Sequence, residues 1–168
     1  DKPYSWELIV VDDGSTDGTA DVSKSAVGTD ERVRVIRVPV NKGKGHSLKV
    51  GVAQAAGRFI GFMDADYKTD IACTGDALFH LEEGMDVVVG SRRLKGSRIE
   101  VQPKLYRRVG SVLFKRFMHL LFPELSRFQD TQCGFKFFQG PVARDIFARM
   151  IVDRFMFDVE MFFLAHRL

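Results

Sequence analysis

The sequence lacks the features that mark several common protein classes. Its 168 residues include only two cysteines, Cys73 and Cys133, whose spacing fits no metal site and which we interpret as free thiols in a reducing compartment. No apolar run approaches the roughly 20 residues that a membrane-spanning helix needs. The formal net charge of +3 is too small to indicate nucleic acid as a partner. The remaining class is an ordinary globular protein, with 45% hydrophobic and 28% charged residues.

The length suits one domain with a sizeable core and leaves little room for a second. We expect residues 1–168 to form a single domain that is truncated at both ends. The sequence opens at Asp1 in what looks like mid-domain, and it stops inside an expected helix at Leu168. On this interpretation a first strand and a C-terminal part are missing.

Short apolar runs alternate with helical patterns four times along the first half of the chain. The expected strands are 8–11, 33–38, 58–63 and 86–89, and the expected helices are 16–26, 47–56 and 71–83. Later elements are a helix at 104–122, a strand ending at 138, and helices at 141–150 and 158–168. The alternation predicts an α/β fold with a Rossmann-like, mostly parallel sheet flanked by helices. Such sheets bind ligands beyond the carboxyl ends of their strands.

Two aspartates, Asp64 and Asp66, directly follow the third expected strand. In extended backbone, side chains two residues apart point to the same side. Two like charges at close range are unfavourable unless a positive charge lies between them. Mg²⁺ or Mn²⁺, which prefer oxygen ligands and substrate phosphates, would supply that charge. The alternative is a turn in which each Asp caps a neighbouring amide, and we favour the metal.

Two more polar motifs lie near strand ends. The first, V-D-D-G-S-T-D-G, can accept hydrogen bonds from a base or ribose, while the following helix start favours anions; an ordinary helix cap is the alternative. The second, N-K-G-K-G, resembles a phosphate cradle without being a Walker P-loop, and a solvated turn is equally compatible. The candidate donor-binding residues are Asp12, Asp13, Gly14, Ser15, Asn41, Lys42, Gly43, Lys44, Asp64 and Asp66.

The motifs V-D-D-G-S-T-D, N-K-G-K-G, D-A-D, G-S-R and D-T-Q-C-G-F-K, in this order, resemble family 2 glycosyltransferases of the GT-A type. More narrowly, they resemble the polyprenyl- and dolichyl-phosphate sugar synthases. D-T-Q-C-G-F-K followed by F-D-V-E is most similar to the dolichyl-phosphate glucosyltransferase branch and its prokaryotic relatives. The resemblance implies transfer of one hexose from a nucleotide sugar to a lipid phosphate, with inversion and with a divalent metal, Mg²⁺ or Mn²⁺.

The resemblance also implies roles for individual residues. Asp12 and Asp13 would contact the nucleoside, residues 41–45 would border the nucleotide, and Asp64 and Asp66 would bind metal and diphosphate. Lys68 stands where some relatives have a further polar metal ligand. The residues implied around the acceptor phosphate are Arg92, Arg107, Ser111, Gln132 and Lys136. The candidate catalytic residues are Asp66, Arg92 and Asp130.

The acceptor determines what the protein must supply. A hydroxyl acceptor must lose a proton to a general base, and Asp130 occupies the place where hydroxyl-glycosylating relatives have one. A lipid phosphate is already anionic and needs orientation and charge neutralisation instead, which Arg92, Arg107 and Ser111 suit. Asp130 would then be available to position Lys136 or a sugar hydroxyl. For Arg107, a solvated helix face is the alternative.

Residues 104–122 combine an apolar stripe with flanking cations. Such a helix can lie in a membrane interface and face anionic lipid, although a core-packed helix needs the same stripe. We favour the interface, because the second half is apolar on more than one side. The expected location is the cytoplasmic face of a membrane, which is the plasma membrane in a prokaryote or the endoplasmic reticulum in a eukaryote.

Several functions remain open on the residues alone. UDP-glucose is the favoured donor, and GDP-mannose is the alternative. A sugar hydroxyl is an alternative acceptor. A nucleotidyltransferase also fits an α/β sheet with metal-bound carboxylates, although the first strand end lacks its glycine-rich signature. A non-catalytic nucleotide-binding module is the candidate from a different class. Of Asp158 and Glu160, one could face the site.

Overall fold

The computed structural model describes residues 4–66, 68–92, 105–123 and 130–168, without the side chains of residues 105–109, 115, 118 and 119. Each expected helix and strand is present, with bounds that differ by at most three residues. The elements are β1 (Leu8–Asp12), α1 (Thr19–Val27), β2 (Val33–Arg37), α2 (Lys44–Gln54), β3 (Phe59–Met63), α3 (Cys73–Glu82), β4 (Val87–Val89), α4 (Leu105–Leu121), β5 (Phe135–Gln139), α5 (Gly140–Arg149) and α6 (Phe157–Arg167).

The strands pair as two sheets. Strand β1 runs parallel to β2, in a register that places Asp12 beside Arg37 at the carboxyl ends. Strand β5 lies between β3 and β4 and is antiparallel to both, so β3 and β4 run in the same direction. The fold is therefore α/β with parallel strands, as predicted, and the antiparallel strand is inserted between two of them.

The insertion of β5 brings three chain segments to one sheet edge. The Asp64 amide, just after β3, donates to the Gly134 carbonyl at 2.9 Å, and the Gly90 amide, just after β4, donates to the Phe135 carbonyl at 2.9 Å. The carboxyl ends of β3 and β4 therefore meet the amino end of β5. All three polar motifs of this region, D-A-D, G-S-R and D-T-Q-C-G-F-K, converge there.

The main core lies between β3, β5 and the helices α5 and α6. Phe138, Ile146 and Phe162 are completely buried in it. The Phe62 ring lies 6.2–6.3 Å from the rings of Phe138, Phe147 and Phe157, which ties β3 to both helices. Burial of each such aromatic side chain contributes about 1.5–3 kcal/mol.

Helix α4 is apolar on more than one side, as predicted. Phe114 and Phe122 pack against the core, and the Phe122 ring lies 6.0 Å from that of Phe163. Another side is exposed to solvent; its residues are Val112, Leu113, Phe117, Leu120 and Leu121. Among the helices that the structure describes, none has the length and hydropathy needed to cross a bilayer.

Gly61 provides a test of the pairing between β3 and β5. A Cβ at Gly61 would lie 2.4 Å from ring carbons of Phe137, its cross-strand partner. We expect Gly61→Ala to lower the free energy of unfolding by about 1–3 kcal/mol in urea denaturation, because the ring must move. Gly75→Ala in α3, where a Cβ meets nothing within 4 Å, is the matched control and should be neutral or slightly stabilising. Equal losses for both variants would contradict this pairing.

Candidate functional site

A cleft of about 120 Å³ opens at the edge where β3 and β4 end and β5 begins. Its lining contains several charged and polar side chains from the three converging motifs. The lining residues are Asp64, Asp66, Lys68, Thr69, Arg92, Gln132, Cys133 and Gly134. The cleft therefore lies beyond the strand carboxyl ends, where the fold class predicts a ligand.

Asp64 and Asp66 each have a lysine partner. The Lys44 ammonium is bonded to Asp64, and the Lys68 ammonium to Asp66. The Lys68 hydrogen bond and charge, with a smaller contribution from Lys44, lower the pKa of Asp66 below its usual value. The two lysines thus offset the like-charge repulsion that, in the sequence alone, indicated a cation between the carboxylates.

The donor set suits a divalent metal. Asp64 and Asp66 are roughly half-exposed in the cleft, and carboxylate oxygens are the ligands that Mg²⁺ and Mn²⁺ prefer. In the described parts of the chain, no three His, Cys, Asp or Glu side chains come together. From the described residues, a metal would therefore have two ligands, and phosphates and water could complete its coordination, as is usual for Mg²⁺.

Arg92 and Asp130 form a two-point ion pair on the cleft wall. The Arg92 Nε and Nη2 atoms each donate to a carboxylate oxygen of Asp130 at 2.8 Å, and the Arg92 amide donates at 3.2 Å. Asp130 is buried, whereas 60% of the Arg92 side chain is exposed. Burial would raise the pKa of Asp130, but the bonds and charge of Arg92 outweigh it and hold that pKa below its usual value.

Lys136 does not line the cleft, and this corrects the prediction that it contacts the acceptor phosphate. Its side chain is 1% exposed, and its Nζ donates to Asp158 Oδ1 at 2.6 Å and to the Cys133 carbonyl at 2.7 Å. The rings of Phe62 and Phe162 lie 5.3 and 5.6 Å from the same Nζ. Burial lowers the pKa of Lys136 and raises the pKa of Asp158. The strand period placed Lys136 on the core side of β5.

Asp12 and Asp13 bind the protein's own groups, which differs from their predicted contact with a nucleoside. The Asp12 side chain is 2% exposed, lies 3.5 Å from Arg37 Nε and accepts the Ser15 amide at 3.3 Å. Asp13 accepts the amides of Lys42 and Gly43 at 3.1 and 2.7 Å. Both carboxylates therefore stabilise backbone next to the carboxyl end of β1, and their contact with a nucleoside stays a prediction.

The loop 41–45 is held against two other segments. Gly14, at φ 74°, lies so close that a Cβ would be 2.8 Å from the Asn41 amide. On its other side, a Cβ at Gly43 or Gly45 would be within 2.7 Å of a carbonyl oxygen of residues 152–153. Packing thus requires these glycines, whatever the loop binds. Lys44, at the first position of α2, reaches from this loop to Asp64.

The segment 150–156 is a part of the site region that sequence reasoning missed. Glu160 of α6 accepts the amides of Ile151 at 2.9 Å and Val152 at 2.8 Å, and the Asp153 carbonyl accepts the His46 amide at 3.1 Å. Glu160 thus fixes the segment that supports the loop 41–45, while Asp158 faces Lys136. The acidic pair around Val159 was the only available signal.

The remaining acceptor candidates differ in placement. Gln132 lines the cleft, and its Nε2 is buried without a hydrogen-bond partner among the described residues. Ser111 is exposed on α4 and is not among the residues that line the cleft. The side chain of Arg107 lies outside the described part of the structure. The structure thus gathers Asp64, Asp66, Arg92 and Gln132, with Asp130 behind Arg92.

The fold corresponds to that of known glycosyltransferases. Residues 1–139 match the model of the family described as glycosyl transferase family 2. The chain belongs to this family, and its fold is of the GT-A type.

Individual relatives are consistent with this assignment. A dolichyl-phosphate beta-glucosyltransferase of Dictyostelium discoideum is 33% identical over 100% of this chain and 53% of its own length. The human protein of that name is 34% identical over 98% of this chain and 53% of its own. The chain thus spans about half the length of the curated relatives it matches.

A solved structure supports the fold. Glucosyl-3-phosphoglycerate synthase from Mycobacterium tuberculosis, in complex with Mn²⁺, UDP-glucose and phosphoglyceric acid, is 26% identical with a TM-score of 0.57. The match covers 81% of this chain and 46% of that one.

Gly134 tests the cleft geometry. A Cβ there would lie 2.1 Å from Asp64 Oδ2, so Gly134→Ala must displace that carboxylate. We expect about 10-fold or greater loss of Mn²⁺-dependent UDP affinity, measured by calorimetry on the full-length protein. Gly75→Ala in α3 is the control, since a Cβ there meets nothing within 4 Å. Unchanged affinity in Gly134→Ala would show that Asp64 does not hold the metal.

Proposed function

We propose that the protein is a metal-dependent, inverting glycosyltransferase that transfers a hexose to a polyprenyl or dolichyl phosphate, with UDP-glucose as the favoured donor. The observation that carries the proposal is the cleft, where two exposed carboxylates and an exposed guanidinium face the same space. The relatives named dolichyl-phosphate beta-glucosyltransferase, which match the whole chain, support the choice of acceptor and sugar.

The donor half of the cleft is the acidic side. Asp64 and Asp66 would hold Mg²⁺ or Mn²⁺, and the bound metal would stabilise the negative charge that develops on the leaving nucleoside diphosphate. Lys44 and Lys68 already lie beside these carboxylates. Once the carboxylates release them, the two ammonium groups can contact diphosphate oxygens. The loop 41–45, which Asp13 fixes, would border the nucleotide.

The acceptor half is built around Arg92. Its Nε and Nη2 bind Asp130, and Nη1, which has no hydrogen-bond partner among the described residues, could donate to a phosphate oxygen. Asp130 fixes the plane of the guanidinium and contributes no proton transfer, because a phosphate acceptor is ionised at neutral pH. Gln132, whose amide nitrogen is without a partner among the described residues, lies beside the same space.

The exposed side of α4 suits the location of such an acceptor. Leu113, Phe117 and Leu120 lie at helical spacing and are 57–78% exposed. This side of α4 can enter the interfacial region of a bilayer, where the phosphate of a polyprenyl lipid is found. We therefore place the protein at a membrane surface, on the cytoplasmic face, where nucleotide sugars are available.

The reaction is tested by label transfer in the full-length protein. With Mn²⁺, dolichyl phosphate and radiolabelled UDP-glucose, we expect label in the lipid extract. We expect none with Asp66→Ala, because the metal that would stabilise the leaving diphosphate loses one of its protein ligands. In one parallel reaction GDP-mannose replaces the donor, and in another 3-phosphoglycerate replaces the acceptor. Lys24→Ala, an exposed substitution on α1, is the control for expression and handling.

Each outcome of this assay has a distinct meaning. Label from GDP-mannose alone would retain the lipid acceptor and change the donor. Label in 3-phosphoglycerate alone would overturn the lipid acceptor. Mn²⁺-dependent UDP binding without any transfer would identify a binding module.

The role of Asp130 is tested by the pH dependence of turnover. The pKa of Asp130 is lower in the folded protein than its unfolded-state value near 3.8. The ion pair with Arg92 therefore contributes its full stability at pH values above 3.8, and this stability is lost only as the pH falls through the folded-state pKa. We expect Asp130→Asn to reduce kcat/KM about 10- to 100-fold, without removing an acidic limb from the profile between about pH 5 and 8. Loss of such a limb, with a far larger fall in kcat, would identify Asp130 as a general base.

A further inference from the structure

A buried ion pair, Lys136–Asp158, lies behind the cleft, and neither of its residues is among those that line it. Lys136 belongs to β5 and Asp158 to the first turn of α6, and both side chains are more than nine-tenths buried. Their N–O distance is 2.6 Å. Taking two charges out of water is costly, and replacing such a pair by apolar residues is often neutral or stabilising. Stability alone is thus a poor explanation for this pair.

The pair connects to the cleft through the backbone. The Lys136 ammonium donates a second bond, at 2.7 Å, to the carbonyl of Cys133, three residues earlier in the chain. Cys133 lines the cleft, and the next carbonyl, that of Gly134, accepts the Asp64 amide at 2.9 Å. Asp158 therefore orients Lys136, Lys136 fixes the turn before β5, and that turn fixes the backbone of Asp64.

The position of Asp64 depends closely on this turn. A Cβ on Gly134 would lie within 2.5 Å of three atoms of the Asp64 carboxylate group, so the turn and the carboxylate are in direct contact. A small shift of the Cys133–Gly134 backbone would therefore shift Asp64. The Phe62 ring lies 5.3 Å from the Lys136 ammonium, and Phe62 precedes Asp64 by two residues in the chain.

We propose that Lys136 and Asp158 are positioning residues, which set the geometry of Asp64 and thereby the affinity for a metal-bound nucleoside diphosphate. This inference rests on the proposed function, since it concerns the donor side of the same cleft. Neither residue touches the donor; they act through the turn that precedes β5.

The main test is the double variant Lys136→Met/Asp158→Leu in the full-length protein. It removes both charges and retains most of the side-chain volume, so no charge remains buried without a partner. The Cys133 carbonyl loses its donor, and the turn is less constrained. We expect a denaturation midpoint close to that of the wild type, and about 10- to 100-fold weaker binding of UDP with Mn²⁺.

Amide hydrogen exchange supplies a readout that is independent of any ligand. The Asp64 amide is protected by its bond to Gly134, so exchange of that amide should accelerate in the double variant while the α5 amides stay protected. Lys49→Met is the matched control, because Lys49 also joins an aspartate, Asp153, to a carbonyl, that of Met150. It should leave exchange at Asp64 unchanged.

The outcomes separate this inference from the proposed function. Faster exchange at Asp64, weaker UDP affinity and near-native stability together support positioning. Wild-type exchange or wild-type UDP affinity in a stable double variant overturns it. If the double variant does not fold, Asp158→Asn, which keeps an oxygen acceptor, is judged by the same two criteria. A wild-type protein that binds no UDP overturns the proposed function, and the exchange comparison alone then decides the inference.

Discussion

The insertion of β5 between β3 and β4 is the constraint on which the rest of the site depends. Because β5 is antiparallel to both neighbours, its first residues lie at the edge where the other two strands end. Two backbone hydrogen bonds, from Asp64 to Gly134 and from Gly90 to Phe135, close that edge. The cleft is the space left between the three segments. Its carboxylates and its guanidinium are positioned by backbone pairing and need no long loop to meet.

The same strand has a second function in the core. Phe138 is completely buried, and Lys136 and Phe135 also point into the protein. A strand buried on both faces leaves little freedom for the turn that precedes it. The ion pair at Lys136 adds a further restraint from α6. The cleft floor thus continues directly into the most buried strand of the described structure.

Much of the fold could be predicted from the sequence, because it depends on local patterns. Apolar runs of strand length and helical spacing gave every element of the described structure to within three residues. The pairing order could not be predicted, since the direction of β5 depends on contacts between residues more than 40 positions apart.

The site residues also fall into two groups, those that local sequence patterns predicted and those whose contacts depend on tertiary packing. Asp64, Asp66 and Arg92 were found because they follow strands directly, and the structure places all three at the cleft. Lys136 was misplaced because its motif was interpreted as a unit, although alternation along β5 puts Lys136 on the same face as Phe138, which belongs to the main core. The lysine partners of the two carboxylates were also missed. Contact between Lys44 and Asp64 depends on how α2 packs, and twenty residues separate them in the sequence.

The charges of the site region indicate how a metal and phosphate-bearing substrates could be bound together. Three acids, Asp64, Asp66 and Asp130, are each paired with one base, Lys44, Lys68 and Arg92 respectively, so these six side chains have no net charge. Addition of a divalent cation would leave two positive charges in the same space. The diphosphate of a nucleotide sugar would bring negative charges that offset them. Because an aspartate that bound a metal would release its lysine, the ammonium groups of Lys44 and Lys68 would then be available to phosphate oxygens.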